Sequence, residues 1–286
     1  MPAVNHHYLP RTYLRRFTFR RPPDLLWEYD KSTGLAAPST PKKCGCEAYY
    51  HAFEKEDGTL DTDSIETDLS RIETQMAGVY ETLRHQRPLS PSEWTAFYTF
   101  AGVMLVRVPG FVANIQNFAS KVLSRSFEIM KTTESFQKRS EELGIPREKL
   151  LGMKATARRD FALLMSLRAM RTPIEAFSEM GWKFLVAPPD HYFITGDNPV
   201  FYLAPGQPQR GFYRAGLAHQ DIEVTFPLSR KVCALGAWKT ADAVYENANP
   251  RLVNIANIRT AMAAHRYLYA PENNYNFFVP KPADAA

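Results

Sequence analysis

From Thr62 the chain repeats apolar residues at alternating steps of four and three: Ile65, Leu69, Ile72, Met76, Val79 and Leu83. That spacing puts one apolar stripe along a helix, which Pro88 stops. Asp63 with Glu66 three residues later predicts a capping pair at its start. Ser90-Pro91-Ser92-Glu93 opens a second helix, with a capping serine, a first-turn proline and a closing carboxylate. Residues 94–108 are apolar nearly all round, so this helix is expected to run through the core. Pro109-Gly110 breaks the path. Residues 111–131 then resume a helix with Ile115, Phe118, Val122, Phe127 and Met130 as a looser stripe, and residues 132–180 read as further helix interrupted near Gly144-Ile145-Pro146.

At Gly181 the period changes from helical to alternating. Residues 182–186 and 192–195 read as a hairpin-like pair of strands joined through Pro188-Pro189-Asp190, and 222–226 with 232–235 read as two more. The stretch 204–220 between them is a long loop of the kind that borders sites. Asn249-Pro250 begins a last helix with Leu252, Ile255, Ile258 and Met262 on its face, and residues 266–269 form a closing strand. Ahead of the helices, residues 25–35 read as a short strand and turn, and 38–58 as a polar loop centred on Tyr49-Tyr50-His51. The fold class that follows is α+β: a large N-terminal helical body, about 60–180, packed on a C-terminal antiparallel sheet, about 181–270, with a final helix and strand. The whole of 1–286 is read as one integrated domain, since the N-terminal stretch has too small a core of its own.

That stretch, Asn-His-His-Tyr-Leu-Pro-Arg from Asn5 and on to Phe19, holds two histidines, three arginines and four aromatic residues. With Pro10 as first helical residue, Arg11 and Arg15 lie one turn apart beyond His7, while Tyr13, Leu14 and Phe17 form a buried face. Anchored arginines suit a phosphate or carboxylate, because the guanidinium donates in a fork. The formal charge of +5 and pI near 9.0 point the same way, and the first 21 residues carry Arg11, Arg15, Arg16, Arg20 and Arg21 without an acid. Arg107 is the one charge in the apolar run and needs a partner, either Glu66, Glu73 or Asp197 in an ion pair, or a ligand. Cys44, Cys46 and Cys233 make no disulfide framework, and Cys44-Gly45-Cys46 lacks metal-ligand spacing, so no metal is assigned and the thiols imply a reducing cytoplasm. No apolar run is long enough for a membrane span, and the first residues lack the apolar stretch of a signal peptide.

The pattern His7-Tyr8-x-Pro10-x-x-Tyr13-Leu14-x-x-Phe17, followed by Arg107-x-Pro109, Thr195-Gly196-Asp197-Asn198-Pro199 and Phe226-Pro227-Leu228, resembles domain-of-unknown-function family 4238, a mostly bacterial group. The resemblance covers about 7–269. Gly196 stands where that family leads one to expect serine. The family brings no established reaction; it directs attention to His7 and to Asp197.

Asp197 and Asn198, at a strand end after a glycine, suit a general base or a cation ligand, and equally a turn whose side chains bond their own backbone. No zinc-protease, nucleophile-elbow or phosphate-loop signature is present. Two readings remain. One is a hydrolase acting on a phosphodiester of RNA or a nucleotide, with His7 and Asp197 catalytic and Arg11, Arg15, Arg107 and Asn198 binding the ligand. It expects these groups to converge in one cleft. The other is a non-catalytic binding or interaction module whose Arg and acid motifs form a structural ion network. It expects each arginine to have a carboxylate mate. An anionic ligand or nucleic acid is the expected partner, with no membrane; the cofactor is left unknown.

Overall fold

The computed structural model describes residues 5–19, 23–205, 216–239 and 244–274; Arg20, Arg21 and residues 206–215 of the expected long loop lie outside them. The chain begins with β1 (Asn5–His7), α1 (Arg11–Leu14) running into a 3-10 turn at Arg15–Phe17, β2 (Leu26–Asp30), β3 (Leu35–Ser39), β4 (Cys46–Ala48), β5 (Phe53–Glu54) and β6 (Leu60–Asp61). Helices α2 (Ser64–Arg84), α3 (Pro91–Val106), α4 (Pro109–Lys131), α5 (Glu134–Glu142), α6 (Arg147–Gly152), α7 (Arg159–Arg168) and α8 (Arg171–Glu179) follow. Then come β7 (Gly181–Val186), β8 (Thr195–Gly196), β9 (Phe201–Leu203), β10 (Glu223–Pro227), β11 (Val232–Ala237), β12 (Val244–Asn247), α9 (Pro250–Ala263) and β13 (Tyr267–Ala270). The class is α+β.

The caps explain where the long helices begin. Ser90 accepts from the Glu93 amide while Glu93 accepts from the Ser90 amide, so the predicted capping box closes and Pro91 costs no hydrogen bond. Asp63 does not cap α2 with its side chain. Asp61 does that work instead, accepting from the Asp63 and Ser64 amides and the Ser64 hydroxyl, which leaves Glu66 for another partner. Helix α3 is buried through Phe97, Phe100, Val103 and Met104, and Gly102 lets α8 come close, since a Cβ there would lie 2.5 Å from Ile174. The chain bends by 57° between α3 and α4, at the break before Pro109. No single helix among the described residues is long and apolar enough to cross a membrane.

The strands form two larger sheets where one was expected. The five-stranded order is β12-β7-β11-β10-β9, antiparallel except for β12 beside β7, and the four-stranded order is β3-β2-β13-β8. Residues 192–195 therefore do not hairpin with 182–186. Pro188 and Pro189 have no amide to donate, the Ala187 and Phe193 amides go to the carbonyls of Lys231 and Arg230, and β8 pairs with β13. On α9 the buried side is Val253, Ala256, Asn257 and Thr260, while Ile255, Ile258 and Met262 of the expected face are exposed. Small residues bring that helix close to the sheets, and Asn257 bonds the backbone of Tyr192 and Ile194. Phe118, Val122 and Met130 of the expected α4 stripe also face solvent.

Candidate functional site

The N-terminal segment threads between the helical body and both sheets. Pro10 is the cap residue ahead of α1, and Tyr13, Leu14 and Phe17 are fully buried. The Tyr13 ring packs on Phe17, Phe100 and Phe226. Its hydroxyl donates to the Pro227 carbonyl at 2.8 Å and, with that proton committed, accepts from the Thr195 hydroxyl at 2.7 Å. Arg107, 2% exposed, donates to Glu73 at 3.1 Å and to the carbonyl of His7, and its own carbonyl accepts from Tyr50 at 2.8 Å. All four sequence motifs thus meet on the segment from His7 to Phe17.

None of the six residues singled out in the sequence lines the cleft described below. His7 is half-buried and its ring bonds the Lys42 carbonyl at 3.2 Å; burial lowers its pKa, and the Arg11 charge adds to that. Arg11 is exposed. Arg15 pairs with Asp24 at 3.1 Å. Asp197 accepts from the amides of His265, Arg266 and Tyr267 at 2.7, 2.7 and 2.9 Å, so both oxygens hold the turn between α9 and β13. Burial raises its pKa although these amides oppose the rise. Asn198 donates to the Ala263 carbonyl at 3.1 Å. Gly196 has a steric reason, because a serine Cβ would lie 2.9 Å from the Ala264 methyl and 3.1 Å from the Tyr267 carbonyl. Of the six, His7, Arg11 and Arg107 are neighbours; Asp197 and Asn198 stand together elsewhere.

A polar cluster that the sequence did not single out sits beside His7. His6 and His51 are buried, their rings stack at 5.8 Å, and His51 Nδ1 donates to Glu66. Burial pulls the His51 pKa down to about 4 despite Glu66. Burial pushes the Glu66 pKa up, but the His51 hydrogen bond together with the neighbouring positive charge, Arg107 included, keeps that carboxyl below its ordinary range. His6, His51 and Glu66 can each present one ligand atom within 4.8 Å of the other two, as a metal site requires. The hydrogen bonds restrict this. His6 Nδ1 accepts the His51 amide at 2.9 Å, which puts the proton of the neutral ring on Nε2, so a cation could use that nitrogen only by breaking the bond. His6 Nε2, His51 Nε2 and Arg107 Nε have no hydrogen-bond partner among the described residues. Only two hints lay in the sequence: the paired histidines and His51 within its aromatic loop.

A cleft of about 630 Å³ has a lining that includes Arg16, Thr18 and Phe19, the end of α2 from Tyr80 to Gln86, and the turn from Leu228 to Val232. The turn is fixed to the N-terminal segment: the Arg230 amide donates to the Arg16 carbonyl at 3.0 Å and its guanidinium to the Thr18 carbonyl at 3.2 Å. Lys231 is held by the carbonyls of Pro188, Pro189 and His191. The Arg16 guanidinium lies 3.5 Å over the Tyr80 ring. Burial pushes the Tyr80 phenol above its usual range, so the hydroxyl keeps its proton.

Residues 5–274 match the family model described as protein of unknown function (DUF4238), and the chain belongs to that family. No curated protein and no solved structure matches it.

Proposed function

We propose that this protein binds an anionic ligand without turning it over, and that its motif residues serve as framework. The observation that supports this reading is the way those residues are already engaged. Both Asp197 oxygens are taken by backbone amides, and Arg107 is buried on Glu73 and the His7 carbonyl. A general base needs a lone pair for substrate, and a ligand arginine needs donors facing a cleft. Asp197 at 4% exposure and Arg107 at 2% are both enclosed by the fold. Incubation with RNA and with nucleotides, with and without Mg²⁺ or Mn²⁺, should give no turnover, and Arg107→Ala and Asp197→Ala should both lower the melting temperature. Turnover that disappears in either variant while it stays folded would overturn the reading.

The hydrolase reading retains one observation in its favour, the His6, His51 and Glu66 group with its metal-capable spacing. Under that reading His6, His51 and Glu66 would hold a divalent ion, which would supply an activated water for attack on a phosphodiester. It requires cleavage that depends on Mn²⁺ or Zn²⁺ and is lost in Glu66→Gln.

A further inference from the structure

The arm formed by α4 to α7 presents apolar side chains to solvent in a way that α2 does not. Ten of the eighteen large apolar side chains exposed among the described residues lie between Phe118 and Met165. Helix α2 is of similar length, and none of its large apolar side chains is exposed. Scattered exposed apolar residues are ordinary, whereas a contiguous set marks a surface that something covers. On α4 the set is contiguous. Val122 and Ile129, 50% and 56% exposed, stand two turns apart on one face with exposed Arg125 between them, and Phe118 lies one turn ahead. The opposite face of the helix is occupied. Gln116, Ser120 and Ser124 bond the backbone of Ala155 and Ala157, and Lys131 bonds the carbonyls of Leu151 and Met153. The apolar stripe therefore points away from the rest of the arm.

The charges on that face suit a second copy of the same helix. Lys121 and Glu128 are both exposed and seven residues apart, so they share one flank of the stripe. In an antiparallel pair with a two-fold axis at the level of 123–124, Val122 lies against Arg125 of the second copy and Phe118 against Ile129. Lys121 then comes beside Glu128, and the symmetry repeats each contact. The aliphatic stem of Arg125 covers the valine while its guanidinium reaches water. A parallel pair would set Lys121 on Lys121 and Glu128 on Glu128, which like charges disfavour. Glu128 also touches Lys131 at 2.8 Å. That lysine is buried and held by two carbonyls, while the Glu128 side chain is 56% exposed and keeps room for a second cation.

We propose that the exposed face of α4 is a homodimer interface, two copies packing antiparallel through Val122, Arg125 and Ile129 with Lys121 and Glu128 paired across the axis. This goes beyond the binding reading above and does not rest on it. A monomer that binds an anion would leave that reading standing and remove this one.

The test is analytical ultracentrifugation of the full chain over a range of concentrations. The wild type should sediment as a dimer that dissociates on dilution. Val122→Glu, at a half-exposed position, should keep the circular dichroism of the wild type and sediment as a monomer. Leu60→Glu, at a similarly exposed apolar position on β6, should leave the dimer intact. Lys121→Glu turns both cross-axis attractions into repulsions and should raise the dissociation constant about tenfold at low salt, an effect that shrinks as salt is added. A wild type that is monomeric at every concentration would overturn the proposal, and its flotation with lipid vesicles would assign the face to a membrane surface instead. A dimer that survives Val122→Glu, that Leu60→Glu dissolves equally, or that Lys121→Glu leaves as tight as before would overturn it as well.

Discussion

Arg107 and Arg230 both donate to the N-terminal segment, one to the His7 carbonyl and the other to the Thr18 carbonyl, in opposite electrostatic settings. Around Arg107 the charges are matched: the guanidinium is 2% exposed and meets Glu73, with Glu66 nearby. Around Arg230 the described lining of the cleft carries Arg16, Arg84 and Lys231 and the acid Glu81, with Asp190 and Glu272 acting on Lys231. The difference follows from solvent. A buried charge must be mated inside the fold because desolvation is costly, whereas a cleft open to water and counter-ions tolerates a local excess of one sign. The first region holds its charge inside the fold; the second keeps its charges at a face open to water.

The strongest way to break this contrast is to remove the buried guanidinium. Arg107→Ala strands Glu73 and the His7 carbonyl, and unfolding in urea should show a loss of about 3–5 kcal/mol. A loss under about 1 kcal/mol would mean that the mated cluster is not structural.

The pH dependence sharpens the same side. His51 is held neutral by burial, with its pKa moved from 6.5 to about 4. The unfolded chain takes up a proton as pH falls through 6.5, the folded chain only near 4, so the unfolded state binds more protons in between. Stability tied to His51 is therefore complete above 6.5 and is lost on going down to 4, by up to about 3 kcal/mol at 1.36 kcal/mol per unit. Asp197 and Glu73, raised by burial, act with the opposite sign and return some stability at lower pH. Subtracting the pH–stability curve of His51→Gln from that of wild type isolates the histidine; a flat difference between pH 4 and 6.5 would remove it from the cluster.

Tyr13→Phe comes next. It leaves the Pro227 carbonyl and the Thr195 hydroxyl short of their partner, which should cost about 1–3 kcal/mol by denaturant titration. Near-zero loss would show that Tyr13 joins the motifs by packing alone. The smallest effect belongs to the cleft: Arg84→Gln should change stability by less than about 0.5 kcal/mol in a thermal melt, as an exposed side chain should. A larger drop would place Arg84 with the framework and weaken the contrast.

How far the sequence could be read depended on the distance over which each feature is decided. The stripe of α2 and the capping box of α3 are set by neighbours within a turn or two, and they were legible as written. The face of α9 was misread because Ile255, Ile258 and Met262 outrank Ala256, Asn257 and Thr260 on any hydrophobic scale. Close approach favours the small residues, and Asn257 has backbone to bond. Gly196 read as a departure from the family pattern, while its cause, the Ala264 methyl and the Tyr267 carbonyl, lies more than 60 residues away.

By itself the sequence determined the α+β order, the long helices and their starts, the burial of Tyr13 and Phe17, and the need of Arg107 for a partner. Those follow from periodicity, local hydrogen bonding and the cost of burying charge, which act along the chain or on one residue at a time. Only the tertiary structure decided that Glu73 is that partner, that Asp197 is spent on backbone amides, that His51 sits against His6 and Glu66, and that Arg16, Tyr80 and Arg230 face one cleft. Such choices depend on which distant segments are brought side by side, and no periodicity in the chain records that.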